Sequence, residues 1–506
     1  MQKYGLTAFT LLALVIFPVT TAATHVGSSL ITYHSSPAPW CSALSTQHSV
    51  AGTWLGVLEA QGFKLRIVIK ITQTPEGKLV AKMDSLDQAA NDLPIDTITS
   101  EGGVVRFEAR ALSLSYEGKL NDDGSEIVGN LKQGPATFPV TFKRTEKAPT
   151  LGRPQDPQKP YPYSEEEVSY ENTIDKVRLT GTLTLPPSRK PVPAVVLITG
   201  SGGQDRNETL LGHRPFLVLA DHLTRRGIAV LRVDDRGMGG SAPGSPNATS
   251  ENYAEDVLAG VAFLKGRKEI NPRQIGLIGH SEGGMIAPIA AVRSKDVAFI
   301  VMMAGMGQTG TDVILMQGDL LQKASGSGPE MITQVRKAFE QIFAILKAEK
   351  DNVAAEKKIR EAVVSQMATM TEAQKKAFAP VLGTINAQMK MYVSDWFRYF
   401  LLFDPGPTLA KVRIPVLAIV GEKDLQVPPQ ENLVLIEAAL KKGGNKNYTI
   451  ILMPGLNHLF QTAKTGSPSE YGVIEETVSP TALQTISDWI LKQTTTRKRA
   501  NTRKVG

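Results

Sequence analysis

One stretch constrains this chain more than any other: Ile275-Gly-Leu-Ile-Gly-His-Ser-Glu-Gly-Gly284. The apolar run Ile275 to Ile278 reads as a buried strand, and Met285 to Val292 reads as an apolar helix-forming run. Between them lies Gly279-His-Ser-Glu-Gly283, a G-x-S-x-G match. A strand that turns sharply into a helix forces the central residue into strained backbone, and flanking glycines remove the Cβ atoms that would clash. The serine hydroxyl then stands exposed with a helix N-terminus aimed at it, the geometry of a nucleophile elbow. The pattern alone also fits an ordinary Gly-rich strand-to-helix turn, so the rest of the chain has to decide.

A chain of 506 residues, 42% hydrophobic and 21% charged, has room for two or three packed domains. Its net charge is +7, but much of the excess sits in Arg497-Lys-Arg499 and Arg503-Lys504, so residues 493–506 are expected to be a basic, disordered tail. With no basic run interleaved with aromatics elsewhere, no nucleic-acid partner is expected. Lys3, the apolar run Leu6 to Val19 and the small residues Thr20-Thr-Ala-Ala23 have the three parts of a signal peptide, residues 1–23. The run is too short for a stable membrane span, so a secreted or periplasmic protein is expected. Cys41 is the sole cysteine, which excludes an internal disulfide and a Cys-based metal site. No metal-ligand spacing is present, and no metal or other cofactor is expected.

From Gly52 the chain shows short runs of alternating apolar residues, with Leu65, Ile67, Ile69 and Ile71 on one face. Turn signals at Pro75-Glu-Gly77, Glu101-Gly-Gly103 and Asn121-Asp-Asp-Gly124 separate them. Residues 46–145 are therefore expected to form a small antiparallel all-β domain, a lipocalin-like barrel or a sandwich opening with Trp54. Five prolines between 149 and 162 mark residues 146–164 as a stiff linker. Beyond it, strands such as Ala194 to Ile198, Ala229 to Val233 and Val416 to Val420 alternate with helices. Their near-continuous apolar character implies a mostly parallel sheet covered on both faces, a doubly wound α/β domain over 165–492. Residues 308–403 interrupt it with helical periodicity alone and are expected to form a helical cap over the sheet's C-terminal edge.

A serine hydroxyl needs a base to become a nucleophile. In the order Ser, acid, His that accompanies this kind of elbow, the base follows the serine, and His458 is the one histidine of seven that does. The imidazole needs an acid to fix its tautomer; Asp424, directly after the strand Val416 to Val420, is the choice, with Glu422 in reserve. The oxyanion needs two N–H donors. One is the backbone N–H of Glu282; the other is expected from Gly202 or Gly203 in the loop Thr199-Gly-Ser-Gly-Gly-Gln-Asp-Arg206. That loop lacks the endings of a P-loop or a dinucleotide site, which sets aside phosphate binding. The run Trp396-Phe-Arg-Tyr-Phe400 offers Trp396 and Phe397 as substrate-binding side chains, or as cap core.

Together, Gly200-Ser-Gly-Gly-Gln-Asp-Arg206, Asp234-Asp-Arg-Gly-Met-Gly-Gly-Ser241, Gly279-His-Ser-Glu-Gly-Gly284 and Trp396-Phe-Arg-Tyr-Phe400 resemble EstD-type bacterial serine carboxylesterases. These are α/β-hydrolases related to the dienelactone hydrolase and prolyl oligopeptidase group. The resemblance covers about residues 165 to 492. It implies hydrolysis of short to medium acyl esters, a small-molecule substrate, no cofactor, and an N-terminal β domain. Two alternatives stay open: the same three residues acting on a peptide or thioester bond or in acyl transfer, and a non-catalytic protein whose barrel holds an apolar ligand.

Overall fold

The computed structural model describes residues 48–502 except 61–62, 89, 134–135 and 148–151, and divides at Gly152/Arg153 into two units. The signal peptide expected at 1–23 and the last four residues lie outside the described residues.

In the N-terminal unit, apolar alternation builds one antiparallel sheet of nine strands. They are β1 (Gly52–Ala60), β2 (Phe63–Gln73), β3 (Leu79–Ser85), β4 (Ala90–Pro94), β5 (Thr97–Glu101), β6 (Val104–Ala109), β7 (Leu114–Leu120), β8 (Glu126–Gln133) and β9 (Ala136–Thr145). The strand order is β4-β3-β2-β1-β9-β8-β7-β6-β5, so the first and last strands pair at the middle. Ile67, Ile69 and Ile71 turn inward against Trp54, Phe107, Tyr116 and Phe142. The Trp54 ring is fully buried, its Nε1 donates to the Val50 carbonyl at 2.9 Å, and the Arg144 guanidinium lies 4.3 Å from its centroid. The expectation of a closed barrel or a sandwich is corrected to an open half-barrel: β4 and β5 are the two ends of the sheet and do not pair with each other. The β3–β4 ladder shifts register between Met83 and Ser85, and Asp92 has φ +54°. Such an irregularity twists an edge strand away from further pairing.

The C-terminal unit holds an eight-stranded sheet: β10 (Ser164–Asn172), β11 (Val177–Leu185), β12 (Val192–Ile198), β13 (Ala229–Val233), β14 (Ile270–His280), β15 (Phe299–Met303), β16 (Val416–Gly421) and β17 (Tyr448–Met453). The order is β10-β11-β13-β12-β14-β15-β16-β17; β10, β11 and β13 pair antiparallel, and the ladders from β13 through β12 to β17 are parallel. Every residue of β12 and β16 is buried, which only a sheet covered on both faces permits. Ala194, Val196 and Ile198 pack with α2 (Ser250–Lys265), α3 (Glu282–Arg293) and α10 (Pro429–Lys442), while Val195 and Leu197 pack with α1 (Pro215–Arg225) and α11 (Pro480–Thr502).

Between β15 and β16 lie α4 (Gly310–Ala324), α5 (Pro329–Ala348), α6 (Asn352–Ala368), α7 (Glu372–Tyr392), α8 (Asp395–Leu402) and α9 (Pro405–Leu409). Thr309, Asp351, Thr371 and Ser394 cap four of these helices by accepting backbone N–H bonds, each worth about 1 kcal/mol. Val335, Ile342, Ile359, Phe378 and Ile385 form a core of the cap's own.

Two boundary expectations change. The closing helix α11 continues to Thr502, past residue 492, and the Gln274 side chain donates to the Thr494 carbonyl at 2.6 Å, which holds that turn against β14. Within the stiff linker expected over 146–164, the stretch from Arg153 is fastened to the C-terminal unit. The Arg153 guanidinium donates to the carbonyls of Leu211, Gly472 and Ile474, and the Gln155 amide bonds the backbone of Thr477 and Val478.

Candidate active site

The turn from β14 into α3 is packed so closely that only glycine fits around the serine. A Cβ on Gly279 would lie 1.9 Å from the Gly283 carbonyl oxygen, and one on Gly283 would lie 2.2 Å from that of Ile198. Ser281 takes φ +53° and ψ −116°, a conformation costly for any residue with a side chain. It is held there by its own N–H, which donates to Met303 O at 2.8 Å, and by its carbonyl, which accepts from Gly284 N at 2.9 Å.

Asp424 follows β16 in a tight turn. Its Oδ1 accepts from Gln426 N and Val427 N, both at 2.8 Å, which leaves Oδ2 facing His458 Nδ1, also at 2.8 Å. Both side chains are fully buried. The carboxylate acts on Nδ1, so Nε2 is the nitrogen available for proton exchange. Glu422, the reserve acid, is committed elsewhere: its Oε2 accepts from Gly455 N at 2.8 Å.

His280, next to Ser281, locks the base loop to the elbow. Its Nε2 bonds the His458 carbonyl oxygen at 3.0 Å, and its Nδ1 bonds Glu208 Oε1 at 3.0 Å. Glu208 Oε1 also accepts from Gly200 N at 2.7 Å, so one carboxylate joins elbow, base loop and the 199–206 loop. Burial opposes a charge on His280, but the Glu208 carboxylate, the His458 carbonyl and Asp424 outweigh it, and its pKa is raised. His213, by contrast, is pulled down to about 4, chiefly by burial and then by Arg153, while it bonds Thr477 Oγ1 and Tyr471 O. It is a neutral structural histidine.

The cavity over the serine is lined by Ser201, Ser281, Glu282, Met306, Val313, Phe400 and Val427, among others. The 199–206 loop divides between two cavities. Gly202 and Gly203 line a different, neighbouring cavity with Asp235 and Tyr253, and Ser201 is the loop residue on the serine's side. The reason is that the chain turns at Gly202 (φ +93°) while Asp235 and Glu208 fix the backbone on either side, taking the N–H groups of Gln204 and Gly200. Phe397 is buried in the cap core against Tyr392 and Phe343, and Phe400 takes the place by the serine.

Trp396 has a polar role instead. Its Nε1 donates to Glu282 Oε1 at 2.9 Å, and the same oxygen accepts from Ser250 Oγ at 2.6 Å. Burial raises the pKa of Glu282, against the hydrogen bonds from Ser250, Trp396 and Ser201. One buried carboxyl thus ties the elbow to α2, to the cap helix α8 and to the 199–206 loop.

The residues Asp234 and Asp235, at the end of β13, clamp that loop. Asp235 accepts from Thr199 Oγ1 at 2.9 and 3.0 Å and from Gln204 N at 2.9 Å. Asp234 accepts from Arg206 N at 2.8 Å and pairs with Arg206 Nη2 at 2.7 Å. The sequence signal was present in Asp234-Asp-Arg-Gly, but not which segment it holds.

The sheet order, the elbow at the end of β14 and the buried acid–histidine pair past β16 and β17 define an α/β-hydrolase. Residues 175–458 match the family described as X-Pro dipeptidyl-peptidase (S15 family), more than half of the chain, and the chain belongs to that family. It is similar to esterase EstD of Thermotoga maritima, with 26% identity over 331 residues, 65% of this chain and 69% of that protein. Among solved structures it is similar to Est1E from Butyrivibrio proteoclasticus with ferulic acid bound (16% identity, 65% of this chain and 99% of that one, TM-score 0.37). It is also similar to the Pyrococcus furiosus esterase Pf2001 (15% identity, 61% and 91%, TM-score 0.36). The chain is an α/β-hydrolase of that family, an enzyme; no helix among its described residues is long and apolar enough to cross a membrane.

Proposed function

We propose that this enzyme is a serine carboxylesterase that hydrolyses small acyl esters through an acyl-enzyme. Ser281 Oγ attacks the ester carbonyl carbon as its proton passes to His458 Nε2. The oxyanion is held by the backbone N–H groups of Glu282 and Ser201. Collapse expels the alcohol, which leaves with the proton from His458, and water repeats the cycle on the acyl-serine. The observation that carries this reading is the fully buried Asp424–His458 pair at 2.8 Å, whose His458 carbonyl is bonded by His280, the residue before a serine held at φ +53°. An aspartate held against Nδ1 leaves Nε2 to exchange a proton and stabilises the imidazolium that forms.

Ser281→Ala and His458→Ala should each lower kcat on a p-nitrophenyl ester by at least about 10³-fold with the fold retained by circular dichroism. Asp424→Asn should cost the same or less. Near-normal turnover in either alanine variant would falsify the assignment. Apolar walls at Met306, Val313, Phe400 and Val427 suit an acyl chain, with about fourfold in kcat/KM per added methylene until the space is filled.

A peptidase reading has one specific support, the description of the family itself. The ester reading is preferred because a relative that matches 65% of this chain is named an esterase. A dipeptidyl X-Pro anilide assayed beside the ester series decides: faster turnover of the anilide would replace the ester reading.

A further inference from the structure

The cap is bonded to the hydrolase body at the two turns that carry Ser281 and Asp424. Gln317 lies on α4 and is only 4% exposed, a polar side chain whose burial is costly unless it is paired. Its Nε2 donates to Gln426 Oε1 at 3.2 Å, and Gln426 Nε2 donates in turn to the Tyr471 hydroxyl at 3.0 Å. With its side chain held at both ends, Gln426 gives its backbone N–H to Asp424 Oδ1, one of the bonds that leave Oδ2 facing His458. The second link starts on α8. Trp396 Nε1 donates to Oε1 of Glu282, the residue after Ser281, and the same oxygen takes the Ser250 hydroxyl. Each link thus ends one or two residues beyond a member of the proposed triad.

The same two helices wall the serine's cavity. Val313 stands one turn before Gln317 on α4, Phe400 stands one turn after Trp396 on α8, and both line it. Residues four apart share a helix face. Each helix therefore sets an apolar side chain against the cavity and, a turn away, a hydrogen-bond donor against a turn of the body. A further bond, from the Tyr399 hydroxyl to Glu251 Oε1, joins α8 to α2 and ends on neither of those turns. On the esterase reading above, we propose that Gln317 and Trp396 are positioning residues: through Gln426 and Glu282 they hold the turns of Asp424 and Ser281 in the arrangement the reaction needs, so the seating of the cap sets kcat. Small displacements of reacting groups cost rate more than binding, because the aligned geometry is demanded in the transition state and not in the bound ester.

The test measures kcat and KM for p-nitrophenyl acetate on the full chain, with a trifluoromethyl ketone as inhibitor. On attack, Ser281 Oγ bonds the ketone carbon, its proton passes to His458 Nε2, and the carbonyl electron pair stays on the oxygen. The Ki of this adduct therefore reads the transition-state arrangement rather than the binding of the ester. Trp396→Phe keeps an aromatic ring and removes the donor; Gln317→Leu keeps most of the bulk and removes the donor. Each should lower kcat about five- to tenfold, change KM less than about threefold, and weaken the ketone by a factor close to that on kcat. Tyr399→Phe also removes a cap bond and should leave kcat and Ki within about twofold, whatever it does to the melting temperature. A merely structural bond would lower the melting temperature and leave Ki alone. Should Gln317→Leu fail to fold, because it leaves Gln426 Oε1 buried without its donor, Trp396→Phe carries the test, since Glu282 Oε1 keeps the Ser250 hydroxyl. Unchanged kcat in a folded variant, a rise in KM alone, an unchanged Ki, or an equal loss in Tyr399→Phe each overturns the proposal while leaving the esterase reading standing. Absence of acetyl ester turnover in the wild type overturns both.

Discussion

On the proposed mechanism Glu282 combines two functions in one residue: its backbone N–H would hold the oxyanion, and its side chain is a buried carboxyl shared by Ser250, Trp396 and Ser201. Burial raises its pKa above the ordinary 4.5, so the folded state holds a proton that the unfolded state releases. Between those two pKa values the folded chain binds more protons, and its stability therefore falls as pH rises from about 4.5 to the folded value. Glu282→Gln removes this dependence while keeping the acceptor oxygen. Thermal melts across the acid range should show the variant gaining on the wild type as pH increases; parallel curves would mean that Glu282 is ionised throughout. The elbow at Ser281 and the Asp424–His458 pair of the proposed mechanism were legible in the sequence as a turn between strand and helix, an acid directly after an apolar strand, and a histidine left by elimination. Ser201 was not legible in that way. Which residue of the Gly200-Ser-Gly-Gly run lines the serine's cavity depends on carboxylates from Glu208 and Asp235, whose meeting is a property of the folded chain. Trp396 and Phe397 show the same limit. Adjacent helical residues point about 100° apart, so one reaches Glu282 and the other fills the cap core, and a sequence run does not say which.

The 199–206 loop owes its shape to two consecutive aspartates that work in opposite electrostatic senses. Burial pushes Asp235 well above the usual carboxylate range, against the bonds from Gln204 N and Thr199, and the charges of Glu208 and Glu282 add to it. Burial pulls Asp234 the same way, but the Arg206 side chain and the N–H groups of Gly240 and Arg206 outweigh it, and its pKa is lowered. Asp235→Asn should therefore be nearly neutral, within about 1 kcal/mol at pH 7, because a neutral side chain suits the site. Asp234→Asn should cost about 2–3 kcal/mol at pH 7 by leaving Arg206 without its buried partner. A depressed carboxyl stabilises above its unfolded pKa, and that contribution is lost as pH falls through the folded value, so the cost of Asp234→Asn should shrink in acid. Urea unfolding at pH 7 and in acid measures both; equal costs for the two variants would refute the distinction. At the scale of elements the alternation of strands and helices was readable because the parallel strands are buried on both faces. The half-barrel's opening was not, since the pairing of β1 with β9 joins residues far apart in sequence and no local pattern announces it.

At the scale of the whole chain, Arg153 and Gln155, inside the stretch expected to be a stiff linker, belong to the hydrolase unit. A shortened chain that begins at Arg153 should fold and hydrolyse a small ester. One that begins at Pro160 lacks both residues and should melt several degrees lower, as expected for the loss of a few buried hydrogen bonds. Calorimetry of the two chains checks this; equal melting temperatures would mean that the contacts made by Arg153 and Gln155 add nothing. The N-terminal sheet carries a consequence of another kind. Thr53 pairs with Thr145, so the chain enters and leaves this sheet side by side, while its one gap falls between β4 and β5, at Pro94 to Thr97. The unit is thus a meander cut in the wrong place. Joined across the β1–β9 seam and reopened after Pro94, the same residues would run β5-β6-β7-β8-β9-β1-β2-β3-β4, with every strand beside its neighbour in sequence. Circular permutation would leave all strand pairings intact yet turn the most distant of them into a hairpin, removing the long chain closure that the natural order requires before its central ladder can form.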